Sequence, residues 1–533
     1  MTEPTPAPRL ARWLCFAALA LAAGVLHHLE VVSLLGWAPR PFDEALVPIL
    51  LGLLVVGHGA LLAVPARLRG EALLLTSLAC GLLVSAAFTA FGVAWTLAYR
   101  RVLWSGARPA VTVLFPIATL LALFALADAA HFPTWTAAHP WTAMVSSLFA
   151  LGWFLRALVV WHEARIGGAR PTRREFLGYF MFAPFALTPV YMLALPRLAA
   201  VTDGVRQLDP AVQRSGARWL AYGLGLQAAL TLLGHVGLDP NVGLAAALHA
   251  RDWPLVVPLL VLAYPVRAVL SACGAGAVLL GLTRCFGVAM TPAFRAPLCA
   301  DGVADWWRRY NIHFRDLLVD LFWYPVAMRF RRRPIVAGYV GCAVVFLLGT
   351  VPLHLPKRVA QFGSPYQWPW GVMGECVVMT LLVGTALALA RRRTPEPRWA
   401  ALRFARRCGR RAGAWVAVCF ATLVVGYQLD YRLRDQPWEQ AAAALERATS
   451  PSELAALVPD LEALVAEAPR LSPRRAALAR ALHGAGDPIG ALHQLALAHA
   501  FAPAPTLGDQ WALTRAEVAL DATGRPAWLE ASR

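Results

Sequence analysis

Long apolar runs, separated by short polar or arginine-rich stretches, follow one another over most of the chain. A helix that spans a membrane needs about 20 mainly apolar residues. Runs of that kind lie at 11–33, 45–66, 72–98, 109–130, 142–162, 176–196, 217–238, 254–283, 335–354, 370–390 and 412–430. The pattern therefore predicts an all-α polytopic membrane protein with about 11 transmembrane helices.

The C-terminal residues follow another pattern. From 436 to 533 the chain is rich in alanine, nearly balanced in charge and interrupted by prolines. Residues 479–503 resemble one tetratricopeptide (TPR) hairpin, in which small residues let two helices pack closely, and 511–524 echo it weakly. We predict a membrane domain at 1–435 and a small soluble helical tail, with a plain helical tail as the alternative. So few repeats bury little core, and we expect the tail to dock on the membrane domain or a protein partner.

Composition narrows the class of protein. The chain has 533 residues, of which 58% are hydrophobic and 15% charged, with a mean hydropathy of +0.54, which excludes a disordered chain and a small disulfide scaffold. The net charge of +18 is carried almost wholly by arginine, since Lys357 is the single lysine. This surplus predicts cytoplasmic loops beside anionic lipids and not nucleic-acid binding, because no soluble basic domain is present. Arginine in place of lysine is typical of bacterial genomes rich in GC, and we expect a bacterial inner-membrane protein.

Arginine positions predict the orientation of the second half. Residues 391–411 contain nine arginines and one acid, and 284–333 also contain nine arginines, so both stretches are predicted to be cytoplasmic. The link between these two stretches, which contains His354, is then predicted to face the extracytoplasmic side, and so is the tail. In the first half, helices that cross the membrane in strict alternation cannot place both the pair Arg67 and Arg69 and the pair Arg100 and Arg101 on the cytoplasmic side. A re-entrant or interfacial segment is therefore expected there.

The segment 281–334 has the highest density of polar and ionisable groups between the apolar runs. Such groups are costly near a membrane and indicate a functional site, although an interfacial amphipathic helix has a similar composition. The residues that we single out are Trp307, Arg308, Arg309, Asn311, His313, Asp316, Asp320 and Tyr324.

The order of residues in this segment resembles the membrane-bound O-acyltransferase (MBOAT) family. The matching residues are Gly281, Leu282, Arg284, Phe286 and Gly287 in a first block, Phe294 and Pro297 in a second, and Trp307, Arg308, Arg309, Asn311, Leu318, Asp320, Tyr324 and Pro325 in a third. Residues 176–196 also look like the family's proline-interrupted helix. The resemblance covers about 176–390 and leaves the tail outside.

The resemblance implies a pair of active residues, Asn311 and His354. Acyl transfer from a thioester to an alcohol needs a base near the acceptor hydroxyl and a group that holds the thioester carbonyl. The imidazole of His354 can accept the proton, and an amide such as Asn311 can polarise but not deprotonate. His313 is the competing base. The other singled-out residues are expected to support the substrates.

The resemblance also implies the substrates and their sides. The donor would be a thioester of coenzyme A or of a carrier protein, which arrives from the cytoplasmic side. The acceptor would be a hydroxyl of an extracytoplasmic glycan or lipid, as in polysaccharide O-acetylation. Neither a bound cofactor nor a metal is expected.

Other readings stay open. A lipid-linked glycosyltransferase is the second candidate, and its support is the acidic pair Asp43 and Glu44 soon after the first helix. A non-catalytic scaffold or transporter is the third candidate. Asp128 with His131, and His27 and His28 with Glu30, are weak metal-ligand candidates without a third ligand. His58 and His235 lie within apolar runs, where a hydrogen bond to a neighbouring helix is the expected role.

Overall fold

The computed structural model describes part of the chain, and every regular element in that part is helical. The described ranges are 6–28, 46–106, 108–129, 131–139, 142, 145–146, 149–165, 170–182, 195–235, 253–258, 269–350, 370–389, 400–419, 421, 436–468 and 472–501. The all-α prediction is therefore confirmed for these ranges.

The helices of the first half are numbered in chain order. They are α1 (Pro6–His28), α2 (Leu46–Ala63), α3 (Arg69–Val84), α4 (Ala86–Leu103), α5 (Pro109–Leu126), α6 (Pro133–Ala138), α7 (Phe154–Arg165), α8 (Arg173–Phe180), α9 (Leu198–Gln207), α10 (Pro210–His235) and α11 (Trp253–Pro258). A short 3-10 turn at Ala66–Leu68 precedes α3, and a π-helical turn at Phe149–Trp153 leads into α7.

The helices of the second half continue the numbering. They are α12 (Gly274–Cys285), α13 (Val303–Arg309), α14 (Ile312–Leu318), α15 (Tyr324–Arg329), α16 (Pro334–Ala343), α17 (Trp370–Leu389), α18 (Ala400–Cys419), α19 (Gln436–Arg447), α20 (Pro451–Glu467), α21 (Ser472–Gly484) and α22 (Pro488–Phe501). π-helical turns at Val269–Cys273, Val319–Trp323 and Val344–Thr350 join or extend them, and Pro297–Cys299 forms a 3-10 turn.

The chain divides into two compact units. The first contains 1–118, 148–350 and 375–424, and the second contains 119–147, 351–374 and 425–533. The segment 281–334 lies wholly in the first unit. The tail helices belong to the second.

The prediction of one helix over 72–98 was wrong. The chain forms two helices there, α3 and α4, which are separated by Ser85. The extended backbone of Ser85 breaks the first helix, and its hydroxyl accepts from the backbone of the second, as a helix cap does. Apolar residues continue through the break, so hydropathy alone gives no sign of it.

Contacts of α3 and α4 with the start of α8 show that the two helices run antiparallel. Glu71 pairs with Arg174 at 2.9 Å, and Arg100 donates to the carbonyl of Pro171 at 2.6 Å. A single helix would separate Glu71 from Arg100 by about 40 Å. The pair Arg67 and Arg69 and the pair Arg100 and Arg101 therefore lie at one end of α3 and α4, while the expected re-entrant or interfacial segment stays a prediction.

A second predicted span, 176–196, was also wrong. The hydroxyl of Tyr179 donates to the carbonyl of Pro196 at 2.9 Å, whereas one helix would separate these residues by about 25 Å. The buried Arg156 of α7 donates to the last carbonyls of α8, those of Tyr179 and Phe180, at 3.1 and 2.8 Å. Arg156 thus caps the end of α8, and Pro196 lies beside the same helix.

Several helix ends meet at one face of the first unit, which we call the basic face. Arg12 near the start of α1 donates to Gln213 at the start of α10, and Gln213 donates to the carbonyl of Cys285 at the end of α12. Arg69 at the start of α3 donates to the carbonyl of Arg206 at the end of α9 at 2.6 Å. The starts of α8 and α3 and the end of α4 meet there as well, so their arginines share this face.

The arginine-rich stretch 391–411 is helical where it is described, because α18 begins at Ala400 rather than at the predicted 412. In the described ranges two helices are long and apolar enough to cross a membrane, Arg9–Leu26 and Pro109–Leu126. Four shorter apolar helices are Val47–Ala63, Leu270–Cys285, Pro334–Leu347 and Val372–Ala388.

The second unit contains the helical tail. Helices α21 and α22 form a hairpin that turns through Gly486, where φ is +90°, and their contact is built on Ala479, Ala491 and Leu495. A larger cluster joins α19, α20 and α21, and α22 also contacts α6. The hairpin coincides with the predicted TPR-like residues, while the likeness itself stays a prediction.

Helices α10 and α12 pack backbone against backbone because glycines line their contact. A Cβ added at Gly281 would meet the backbone nitrogen of Leu220 at 2.4 Å, and one at Gly223 would meet that of Val278 at 2.5 Å. Backbone atoms cannot move aside as a flexible side chain can. Any side chain at these glycines must therefore push the two helices apart.

We predict that Gly281→Ala and Gly223→Ala each lower the free energy of unfolding by about 1–3 kcal/mol, the usual cost of overpacking. The measurement is the melting temperature of the full chain in detergent. Gly225→Ala is the matched control, because Gly225 lies exposed on α10 with nothing within 4 Å of the added Cβ. Alanine there is expected to leave the melting temperature unchanged or to raise it. Identical melting of all three variants would contradict the close approach.

Candidate functional site

The segment singled out in the sequence folds as short helices that are broken at one residue. Helix α13 ends at Arg309, Tyr310 is extended, and Asn311 adopts the left-handed conformation, with φ +45° and ψ +58°, before α14 begins. Asparagine tolerates this conformation better than most residues with a Cβ. The break turns the backbone sharply in the middle of the tryptophan-rich motif.

Two backbone hydrogen bonds hold this break against the loop that follows α12. The amide of Arg295 donates to the carbonyl of Arg309 at 2.9 Å, and the amide of Ile312 donates to the carbonyl of Ala293 at 2.8 Å. They lie on either side of Asn311, so its backbone is fixed from both directions. The second and third blocks of the family resemblance are thereby brought together.

The side chain of Asn311 is buried, with 8% of its surface exposed, and no described residue makes a hydrogen bond to its Oδ1 atom. The indole nitrogen of the neighbouring Trp306 is likewise buried without an acceptor in the described ranges. A buried polar atom without a partner costs about 1–3 kcal/mol. A buried acceptor and a buried donor that lack described partners, five residues apart at this break, are typical of a site that a ligand completes.

Aromatic rings surround the break. Trp306 stacks on Tyr310 at a centroid distance of 4.6 Å, and Phe294 meets the edge of Tyr310 at 4.9 Å. Trp415 of α18 packs perpendicular to Trp306 at 6.4 Å. These rings exclude water from one side of Asn311 and strengthen any polar interaction that its amide makes.

Ion pairs position the same segment. Arg309 pairs with Asp305 at 2.9 Å, and Arg411 of α18 pairs with Asp301 at 2.9 Å. The hydrogen bond from Arg411 lowers the pKa of the Asp301 carboxyl. Both pairs are partly exposed, so solvent screens them and each contributes little to stability. The first pair lies within α13 and the second joins α18 to Asp301 just before α13, so they orient these helices more than they stabilise the fold.

His313 is held by a single hydrogen bond that decides its tautomer. Its Nε2 atom lies 2.8 Å from the carbonyl of Thr291, and a carbonyl can only accept, so Nε2 carries the proton and Nδ1 has a free lone pair when the ring is neutral. Burial lowers the pKa of His313, and the hydrogen bond to Thr291 opposes that shift. The ring is therefore neutral near pH 7 and can accept a proton.

An apolar cavity of about 600 Å³ lies beside this segment. Its lining comes from α10, from the start of α12 with the preceding turn, and from the loop 292–299. Ala293 and Phe294 line it and also hold the break at Asn311, through the hydrogen bond and the ring contact described above. Arg218 is the only charged residue in the described lining. Volume and lining are both typical of a small-molecule site.

The structure brings together part of the predicted set. Arg309 and His313 bond to the loop 291–295, as does Ile312 on the other side of Asn311, and Trp307 packs on Phe346 at 4.7 Å. Arg308 is exposed and contributes a backbone carbonyl to Arg315, which also pairs with Asp316. Asp320 and Tyr324 are exposed on the following turn and α15. His354 lies outside the described residues.

Sequence reasoning missed the wall of the cavity that α10 supplies, namely Arg218, Trp219 and Tyr222. Trp219 and Tyr222 lie three residues apart on one helix face, with ring centroids 5.7 Å apart. A polar and aromatic stripe at helical spacing within an apolar run was the available signal. These residues were instead assigned to the predicted span 217–238.

The other histidine predictions have mixed outcomes. His58 is buried and its Nε2 lies 3.4 Å from the side chain of Gln213 on α10, so the predicted interhelical hydrogen bond is confirmed. His131 lies 2.6 Å from Asp128, and no third metal ligand joins them among the described residues. The side chains of His27 and His235 lie outside the described part, as do the residues Glu30, Asp43 and Glu44.

No family model matches the chain, and no curated protein matches it.

The left-handed conformation of Asn311 gives a stability prediction. Asn311→Gly should leave the melting temperature close to wild type, because glycine adopts φ +45° without strain. Asn311→Ala should lower the free energy of unfolding by about 1–2 kcal/mol, the cost of a left-handed residue with a Cβ. Thermal melting of both variants tests this. Equal melting of the glycine and alanine variants would show that the backbone does not need the left-handed region.

Proposed function

We propose that this chain is a polytopic protein of the bacterial inner membrane that transfers an acyl group from a thioester to a hydroxyl. The membrane part of the proposal is supported by exposed apolar surface. Only 17% of the window Arg9–Leu26 and 22% of Pro109–Leu126 is buried, and Leu21, Val56 and Leu75 are 70%, 66% and 68% exposed. Water would oppose such exposure over many helices, and lipid would not.

The orientation of the proposed membrane domain is supported by the basic face. Helix ends that carry arginine converge there, and cytoplasmic segments are rich in arginine and lysine. The contact of Asp301 with Arg411 agrees with the assignment of both arginine-rich stretches to one side. On this assignment the thioester donor approaches from the basic face, and the number of spans remains about 11.

The observation that carries the proposed activity is the buried, unpartnered side-chain oxygen of Asn311 at the break beside the cavity. The free Oδ1 atom can only accept a hydrogen bond, so it suits the acceptor hydroxyl, and the Nδ2 group of the same amide is the donor that suits the thioester carbonyl. The apolar cavity fits an acyl chain, and Arg218 in its wall fits an anionic part of the donor. No observation in the described ranges favours the glycosyltransferase or the scaffold.

The proposed reaction is a direct transfer. The acceptor hydroxyl oxygen attacks the thioester carbonyl carbon while His354 takes the hydroxyl proton. The C–S bond breaks, and His354 passes the proton to the leaving thiolate, which departs as a thiol. A neutral imidazole in an apolar setting suits this step, because desolvation disfavours its charged form. His313, whose Nδ1 lone pair is free, is the alternative base.

Mass spectrometry of cell-envelope glycans and lipids tests the activity. We expect an ester-linked acyl group with the wild type, and its loss by at least about 100-fold with His354→Ala, because a general base contributes that much. Asn311→Gly should remove the ester as well, because it keeps the backbone and deletes only the amide. His493→Ala, an exposed histidine in α22, is the matched control and should retain the ester.

Each other outcome decides against part of the proposal. An ester that persists with His354→Ala and disappears with His313→Ala would move the base to His313. Retention with Asn311→Gly would mean that Asn311 serves the backbone only. If wild-type cells show the same profile as cells without the protein, the acyltransferase is rejected, and a divalent-metal requirement would then favour the glycosyltransferase.

A further inference from the structure

A second cavity, of about 480 Å³, opens on the basic face and is unrelated to the break at Asn311. It lies between the start of α3, the start of α8 and α9. Its described lining is Ala66, Arg67, Gly70, Glu71, Leu73, Thr172, Arg173, Arg174, Glu175, Gly178, Tyr179, Val201, Thr202, Val205 and Arg206. We call this cavity the basic pocket. Four arginines and two glutamates line it, over a floor of small and apolar side chains.

The two glutamates neutralise only two of the four arginines. Glu71 pairs with Arg174 at 2.9 Å, and Glu175 pairs with Arg206 at 3.0 Å. Glu175 is further engaged by Thr172 in the cap of α8. Arg67 and Arg173 are exposed and form no ion pair with a described residue. The basic pocket therefore has a surplus of two positive charges.

The surroundings of the basic pocket hold further positive charge. Arg69, directly beside Arg67 and Gly70, donates to the carbonyls of α9 and so brings a cation to the rim. Burial and the nearby charges of Arg170 and Arg173 lower the pKa of Arg100. Like charges held this close repel one another, and an anion in the pocket would relieve that repulsion.

The shape and charge of the pocket select a class of ligand. Arginine presents planar donors that match phosphate oxygens and often binds them in a bidentate manner. The floor of Leu73, Val201 and Val205 suits an apolar body attached to the anion. We propose that the basic pocket binds a phosphate group, as carried by a lipid headgroup or by a free phosphate ester. The proposal rests on these charges and holds whether or not the chain transfers acyl groups.

Binding to the full chain in a neutral detergent tests the proposal. The probes are dihexanoyl phosphatidylglycerol for a lipid headgroup, glycerol 3-phosphate for a free phosphate ester, and dihexanoyl phosphatidylcholine as a zwitterionic comparison. Ligand-dependent thermal stabilisation gives the affinities. A stronger response to the lipid assigns the pocket to a headgroup, and a stronger response to glycerol 3-phosphate assigns it to a soluble ester.

The decisive variant is Arg67→Gln/Arg173→Gln, which removes both unneutralised arginines. We expect at least about tenfold weaker binding of the preferred anionic probe, because the loss of one charge-assisted hydrogen bond already weakens binding by about tenfold. The matched control is Arg329→Gln/Arg331→Gln, which makes the same change in net charge at exposed arginines outside the pocket. The control should bind as the wild type does.

Glu71→Gln provides a gain of binding that a misfolded protein cannot imitate. The change removes a negative charge from the rim and releases Arg174 toward the ligand, so we expect about fivefold tighter binding. The proposal would be overturned if the two double variants weakened binding equally. It would also be overturned if neither Glu71→Gln nor Arg67→Gln/Arg173→Gln changed binding.

Discussion

Arginine side chains that donate to helix-end carbonyls hold the first unit together. Arg69 reaches the end of α9 and Arg156 caps α8, while Arg284 at the end of α12 bonds a loop carbonyl, that of Met290. The last carbonyls of a helix lack partners within it, and leaving them unpaired in apolar surroundings is costly. A guanidinium with several donors meets that need from a distance. The positions of these arginines therefore decide which helix ends meet.

The break at Asn311 depends on this arrangement. Helix α12 is fixed against α10 by glycine contacts and by Gln213, and the loop that leaves α12 then runs beside the tryptophan-rich segment. Backbone hydrogen bonds join loop and segment on both sides of Asn311. Helix α18 closes the other side through Trp415 and Arg411. The amide of Asn311 is thus held by elements from three distant parts of the chain.

The cavity beside Asn311 and the basic pocket differ in chemistry because they lie against different parts of these helices. The cavity beside Asn311 is bounded by apolar and aromatic side chains with Arg218 as its one described charge. The basic pocket lies among helix ends, where charged residues cap and pair. An acyl group suits the first and a phosphate suits the second. Both cavities would serve the acyltransferase proposed above.

The periodic and apolar pattern of the sequence determined the helical class, and local residue types indicated the tail hairpin and the segment of the candidate site. It did not reveal the turn at Ser85 or the return of the chain from Tyr179 to Pro196, because apolar residues continue through both stretches. Nor did the pattern indicate that Arg67 and Arg173 line the same pocket. Residues about 100 positions apart meet only when helix ends converge, and tertiary hydrogen bonds alone decide that convergence.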